Sequence, residues 1–425
     1  MLSLYIHIPF CHTKCKYCSF QVCPTSQMQS DALAVEIKNY TDWIISEIKN
    51  YSNILKDSEK QIKSIYFGGG TPQLIWLLNI ERIIDAIIHN FDTENIWEFS
   101  IEMNPYPQKQ VFAIIKKLNK KYKNFSRIRF SFGIQSFDNK ILSESGRDTS
   151  FPWLVEFFRN LQPLKKSNNI FNLDFIAFGK FNESKKWNLQ LRNPNSLDFF
   201  VKLAESKFAD SYSLYTLELF PGSLRYYQKE KTESRWDFWS DDDIYEEFSI
   251  IKEILLDRWY RRYELSNFSL LWKSSIHNRV YREMQNYIWL WTSASSFIQN
   301  PNDKLKKYLS LPNSSNAVRR TNTVKIADYN KWKYLDTETI NNLTDQDLLV
   351  EEFFLLLRTD IWIKDISKYN TVLVLDFKQK IKSYTEQWFI EILDSWDNSK
   401  KQWIKLTDQW MDIYNDIVTE LLEEI

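Results

Sequence analysis

Six short runs rich in Ile, Phe, Tyr and Val punctuate the first half of the chain, at 4–9, 64–70, 98–104, 127–136, 172–178 and 211–219. Each ends near a Gly, Pro, Asn or Ser, where strands give way to turns. The stretches between them, notably 41–53 and 80–89, are amphipathic. Strands that alternate with helices pair in parallel, because each crossover helix carries the chain back to the same end of the sheet. Six such units are too few for a closed eight-stranded barrel. The rhythm therefore predicts an α/β fold, either an open six-stranded (β/α)6 barrel or a doubly wound sheet. After about residue 235 the rhythm changes. A helix is predicted over 241–258, a polar turn-rich stretch follows at 312–323, and from about 330 the pattern is mostly helical. The division read from this is a core over 1–235, an extension over 236–330 and a mostly α-helical C-terminal domain over 331–425.

The bulk numbers exclude several function classes. Lys plus Arg equals Asp plus Glu at 55 each, so no basic field draws the chain to nucleic acid or anionic lipid. No uncharged apolar run reaches the roughly 18 residues a membrane-spanning helix requires. The opening residues read as a strand rather than a signal peptide, having no basic stretch before the apolar run. A cytoplasmic protein is expected.

Three of the four cysteines fall within eight residues, as Cys11-His-Thr-Lys-Cys15-Lys-Tyr-Cys18. Disulfide scaffolds spread more cysteines over shorter chains, so this cluster points to metal. It directly follows the first strand, at the C-terminal strand end where barrels place their chemistry. Iron–sulfur clusters are held by thiolates, usually four; three would leave one iron open to an external ligand. The rival is a structural zinc site completed by Cys23 or His12. Zinc sites more often use two separated cysteine pairs, and no second pair is present. Cys23 otherwise reads as a small buried hydrophobe.

The Cys-x3-Cys-x2-Cys spacing with Tyr17 before the last cysteine, set in Tyr5-Ile-His-Ile-Pro-Phe-Cys11, resembles the signature of the radical-SAM superfamily. Its surroundings are similar to oxygen-independent coproporphyrinogen III oxidases and HemW-type heme chaperones. Further matches follow in order. Gly68-Gly69-Gly70-Thr71-Pro72 closes the second strand and Glu102-Met-Asn104-Pro105 the third. Phe132-Gly133-Ile134-Gln135-Ser136-Phe137 closes the fourth, with Gly146-Arg147 after it, and Asn172-Leu-Asp174 lies in the fifth. The resemblance implies a partial radical-SAM barrel with a [4Fe–4S] cluster on Cys11, Cys15 and Cys18. It implies S-adenosyl-L-methionine (SAM) bound by Tyr5, Tyr17, Gly68, Gly69, Gly70, Thr71, Glu102, Gln135, Arg147 and Asp174. The glycine amides are expected to donate to the ligand, and Arg147 to meet its carboxylate. The open iron would chelate SAM, and an electron from the reduced cluster would cleave it to methionine and a hydrogen-abstracting 5′-deoxyadenosyl radical. An electron donor such as flavodoxin or ferredoxin is implied.

Within this family the chain leans toward the chaperone branch. The oxidase carries a segment ahead of the first strand and a fourth cysteine where Phe20 stands here. The chaperones carry an H-N-x-x-Y-W motif linked to heme, and this chain has His277-Asn278-Arg-Val-Tyr281, with Arg282 in place of Trp. His277, Asn278 and Tyr281 are thus candidate heme contacts, with heme or porphyrinogen and a heme-receiving client as partners. The alternative is coproporphyrinogen III oxidation. Two departures leave the substrate open: Phe178-Gly179-Lys180 replaces a Gly-Leu-Pro segment, and Thr292-Ser-Ala-Ser-Ser296 lacks a histidine found in relatives.

Glycine is scarce. At roughly 7% of an average protein, about 30 would be expected, yet there are 7, beside 17 tryptophans. Trp259, Trp272, Trp289, Trp291, Trp362 and Trp410 stand where the resemblance calls for Gly. The expectation is that the source reads UGA as glycine, and that a structure of this sequence strains or rearranges at those places.

Overall fold

The computed structural model of the chain describes all residues except 124, 180–193, 232–239, 293, 323–336, 364–389, 395–401, 413 and 415–425. All six strands read from the sequence are present: β1 (Leu2–Ile8), β4 (Ile62–Gly69), β5 (Glu98–Met103), β6 (Ile128–Gln135), β7 (Asn169–Ala177) and β8 (Ser211–Thr216). Two-residue strands β2 (Phe10–Cys11) and β3 (Cys23–Pro24) bracket the cysteine loop and pair with each other. The order β1-β4-β5-β6-β7-β8 follows the chain, and every pair is parallel. A doubly wound sheet reverses direction at a switch point; this one does not, so the partial barrel is the architecture formed.

Period-two alternation divides each barrel strand into two faces. Leu4, Ile6 and Ile8 of β1, Phe67 of β4, Phe99 and Ile101 of β5, and Phe130 and Phe132 of β6 form the apolar core. It is covered by the crossover helices, among them α1 (Ser30–Ile54), α2 (Trp76–Asn90) and α3 (Gln108–Lys121). The opposite face is polar: Ser3, Tyr5 and His7; Ser64 and Tyr66; Glu98, Ser100 and Glu102; Arg129 and Ser131; Asn172 and Asp174; Ser211 and Ser213. A buried polar face needs internal partners, and here they form cross-strand chains such as Asn172 Nδ2 to Ser131 Oγ at 2.8 Å and to Ser213 Oγ at 2.9 Å.

The extension continues the same sheet. After α8 (Asp241–Asp257), capped reciprocally by Ser240 and Asp243, strands β9 (Arg261–Glu264) and β10 (Asn267–Ser269) add antiparallel beyond β8. Helix α9 (Ile276–Arg282) leads to β11 (Tyr287–Leu290), which docks parallel on the other side of β1. β12 (Ser295–Gln299), β13 (Ala317–Asn322) and β14 (Thr337–Leu343) follow antiparallel. Of 331–425, the described residues hold helices Asp345–Leu357 and Asp408–Asp412, strand β14, and the hairpin of β15 (Ile390–Asp394) with β16 (Gln402–Leu406). A helix expected at the C-terminal end lies largely outside the described residues. No described helix is long and apolar enough to cross a membrane.

The suspect tryptophans divide into two groups. Trp259, Trp272 and Trp291 have φ of 68°, 64° and 98°, in the left-handed region. That region costs an L-residue about 1–2 kcal/mol and is a genuine outlier for a bulky one. Trp76, which the sequence did not single out, joins them at φ 60°. Trp289 lies in β11, Trp362 has ordinary backbone, and Trp410 is helical, so the strain expected there is absent.

Candidate functional site

The C-terminal strand ends gather most of the predicted ligand-binding residues around the cysteine loop. Cys11 leaves β2 half-buried, and its Sγ accepts from Thr71 Oγ1 at 3.6 Å. Burial pushes the Cys11 thiol up to about 11. A buried thiol so reluctant to ionise becomes a thiolate when a cation binds it. A turn from Cys15 O to Cys18 N closes the loop. Arg147 Nη1 lies 3.8 Å from Cys15 Sγ, and Nη2 donates to Asn104 Oδ1 at 3.2 Å and to the Gly133 carbonyl. Its buried Nε has no hydrogen-bond partner, so the guanidinium keeps one donor uncommitted. Tyr17 packs edge-on against Phe178 with ring centres 5.9 Å apart.

The glycine segment packs the end of β4 against the cysteine loop. A Cβ on Gly70 would lie 2.6 Å from Phe10 O and 3.0 Å from Cys11 Sγ, so only glycine lets β4 come this close to the cysteine loop. Its amide donates to Ile8 O at 2.7 Å, Thr71 N to Phe10 O at 2.7 Å, and Gly69 N to Glu102 Oε2 at 3.0 Å. These three amides are engaged inside the protein and bind the strand ends together. Gly68 sits against Tyr5 and Tyr66, leaving no room for a side chain.

Deeper in the lumen, Glu102 accepts from Tyr66 Oη at 2.7 Å. Burial, with the Asp174 charge adding to it, pushes its carboxyl up to about 7, against the Tyr66 and Gly69 hydrogen bonds. Asp174 accepts from Asn172 Nδ2 at 2.7 Å and Ser131 Oγ at 3.0 Å, and burial raises it too. Tyr5 lies between Tyr66 and Trp289, ring centres 5.6 and 4.3 Å away. Gln135 closes β6 in the left-handed region at φ 69°. His7, Tyr66 and Asn104 were not among the predicted ligand residues. The first two share the inward stripe of β1 and β4 with Tyr5, a signal present in the alternation itself.

His277, Asn278 and Tyr281 are elsewhere, at the N-terminal strand ends. His277 is fully buried. Its Nδ1 pairs with Ser64 Oγ at 2.8 Å and its Nε2 with Tyr281 Oη at 2.6 Å. Burial lowers it to about 3, so it is neutral. Trp289 Nε1 donates to the same Tyr281 oxygen at 2.9 Å. Arg282, where a Trp was expected, pairs with Glu264. With both imidazole nitrogens engaged, no heme ligand is presented here in this conformation.

The residue that holds this helix was missed in the sequence. Glu98, with no exposed surface, sits under the N-terminus of α9. It accepts from Ser275 Oγ at 3.1 Å, Ile276 N at 3.2 Å and His277 N at 3.1 Å. Arg127 meets it at 2.8 Å. The positive helix end and Arg127 keep its carboxyl ionised despite burial.

Among the described residues no three His, Cys, Asp or Glu side chains converge on a point fit for one metal ion. Cys23, which a zinc site would recruit, instead turns its Sγ to Met28 Sδ at 4.0 Å. Three half-buried thiols on one loop, a neighbouring guanidinium with a free donor and a close-packed glycine wall fit a larger cationic cluster with an anionic ligand.

Comparison with known proteins agrees. The sequence model of the Radical SAM superfamily matches residues 5–185. The heme chaperone HemW of Lactococcus lactis is 27% identical over 99% of this chain and 97% of its own. That of Bacillus subtilis is 25% identical over the full length of both. The fold matches coproporphyrinogen III oxidase (HemN) from Escherichia coli, a radical SAM enzyme, at TM-score 0.69 and 18% identity, over 98% of this chain and 88% of that one. Residues 5–185, which carry the cysteine loop and strands β1 and β4–β7, are thus similar to the radical SAM superfamily.

Proposed function

We propose that this chain is a HemW-like heme chaperone that retains a cluster and SAM site at its barrel mouth. The observation that carries the reading is end-to-end similarity to proteins named heme chaperone HemW, running through the extension and C-terminal residues as well as the barrel. Cys11, Cys15 and Cys18 would hold the cluster, which when bound supplies one-electron chemistry toward SAM. The chain's own groups do the rest. Arg147 offers a buried cation to a carboxylate. Glu102 and Asp174 accept from hydroxyl and amino groups, while Tyr5 and Tyr17 supply ring faces. Gly68, Gly69, Gly70 and Thr71 fix the wall beside Cys11, and Gln135 flanks it. Heme is the cargo, a client protein its destination, a flavodoxin or ferredoxin the electron source and the cytoplasm the setting. Because both ring nitrogens of His277 are hydrogen-bonded where α9 docks, hemin binding is expected to survive loss of that imidazole unless α9 opens.

The test is a hemin titration of anaerobically reconstituted protein beside His277→Ala. Stoichiometric binding with a shifted Soret band is expected in both. No binding in the unaltered chain sinks the chaperone reading and returns attention to coproporphyrinogen III turnover in the same preparation. Binding lost only in the variant would show that α9 opens.

A further inference from the structure

We infer that the native polypeptide carries glycine rather than tryptophan at positions 76, 259, 272 and 291, each encoded by UGA. The argument is conformational. Nine non-glycine residues among those described have φ in the left-handed region: Gln135, Lys207, Met284, Asn300, Ser310 and four tryptophans. Tryptophan is 17 of 425 residues, yet it supplies four of these nine places, where a large side chain is among the least suited occupants. Four of the chain's seven glycines, Gly69, Gly146, Gly179 and Gly222, adopt the same region. The two residue types thus share one structural job here, and glycine is the type that does it without steric cost.

Local geometry fits glycine at positions 76, 259 and 272, while position 291 rests on its backbone alone. Trp259 follows α8, and its amide returns to Leu256 O at 3.0 Å in a helix-ending turn, where a left-handed glycine is the usual residue. Its indole is 83% exposed, so no packing compensates the backbone. Trp272 is also 83% exposed, and only its carbonyl is used, accepting from Arg127 Nη1 at 3.1 Å. Trp76 ends the 3-10 turn Pro72–Ile75 that follows the glycine wall, and is 41% exposed. Trp291 follows β11 and is the buried member, with its ring 4.7 Å from Tyr40 and stacked on Trp43 at 6.2 Å.

These positions are not scattered. Position 76 turns the chain out of the wall beside Cys11, position 272 precedes α9, position 291 follows the strand beside β1, and position 259 leads into β9. Each lies at a bend between elements, and position 76 is the one next to the cysteine loop. A protein produced with tryptophan at all four would carry strain at these bends.

Peptide mass spectrometry of the protein purified from its native source reads the four residues directly, and sequencing the gene reads the codons. Glycine at all four, each from UGA, is expected. Tryptophan in the native peptides, or UGG at these codons, overturns the inference. A second measurement tests the conformational argument in a standard host: Trp259→Gly with Trp272→Gly should raise the thermal midpoint, since both indoles are exposed. An unchanged or lowered midpoint would remove the backbone strain on which the inference rests.

Discussion

The two ends of the barrel each carry a motif with a chemical pedigree, and they are built in opposite ways. At the mouth, the cysteines sit half-buried on a loop and Arg147 retains an unpartnered Nε beside Cys15. At the floor, His277 has no exposed surface, and each of its ring nitrogens is matched at hydrogen-bond distance. The mouth has uncommitted donors and acid groups whose ionisation is costly, which is the condition of a site awaiting a ligand. At the floor the His277 imidazole itself is saturated, which is the condition of a structural joint, although the Arg127 Nε nearby is buried without a partner as at the mouth. A motif's residues therefore say what chemistry is available, while their partners decide whether it is offered.

The largest test of this contrast is Cys15→Ala. It should abolish the cluster while leaving the fold intact, because Cys15 is half-buried on a loop and is not a member of the apolar core. Iron and sulfide content and the visible absorption of reconstituted protein would read the loss, with circular dichroism as the control. Full iron content in the variant would mean that the mouth is not where the cluster sits.

The floor should respond the other way, in stability rather than in metal. Glu98→Ala removes the carboxylate that faces Arg127 and three donors at the start of α9. Breaking a buried pair by deleting one partner costs about 3–5 kcal/mol. A urea midpoint should fall accordingly, and Glu98→Gln should fall less, since an amide oxygen still accepts. A midpoint unchanged in both would show that α9 is held by something else.

The contrast was only partly legible in the sequence. The six barrel strands and the cysteine loop announced themselves through period-two patterning and fixed spacing, which are local signals. The mouth residues were legible because they follow successive strand ends in chain order. The floor was not. Glu98 opens a strand and His277 opens a helix nearly 180 positions later, so only the docking of α9 beneath β5 reveals that one caps the other. The same limit hid the sheet's extensions: β11 pairs with β1 across most of the chain, a contact no local window contains. The partners of the glycine amides were hidden in the same way, since Gly70 N reaches Ile8 O on β1 and Gly69 N reaches Glu102 on β5.

The finest test compares the two ends by pH. Glu102 at the mouth has its carboxyl raised from 4.5 to about 7, with burial the largest cause. In the unfolded chain it ionises near 4.5, so below that pH both states are protonated and the full stability is present. Between 4.5 and about 7 the unfolded state sheds its proton while the folded state retains it, so stability falls as pH rises. At about 1.4 kcal/mol per unit, the decline amounts to roughly 3–4 kcal/mol and levels off above 7. Glu98 at the floor shifts the other way, and its contribution declines only on acidification below about 4.5. Glu102→Gln should flatten the stability profile between pH 5 and 7 and leave the acid limb alone, as read by urea midpoints across that range. A slope that survives the substitution would place the titrating group elsewhere in the lumen, with Asp174, raised by the same burial, next in line.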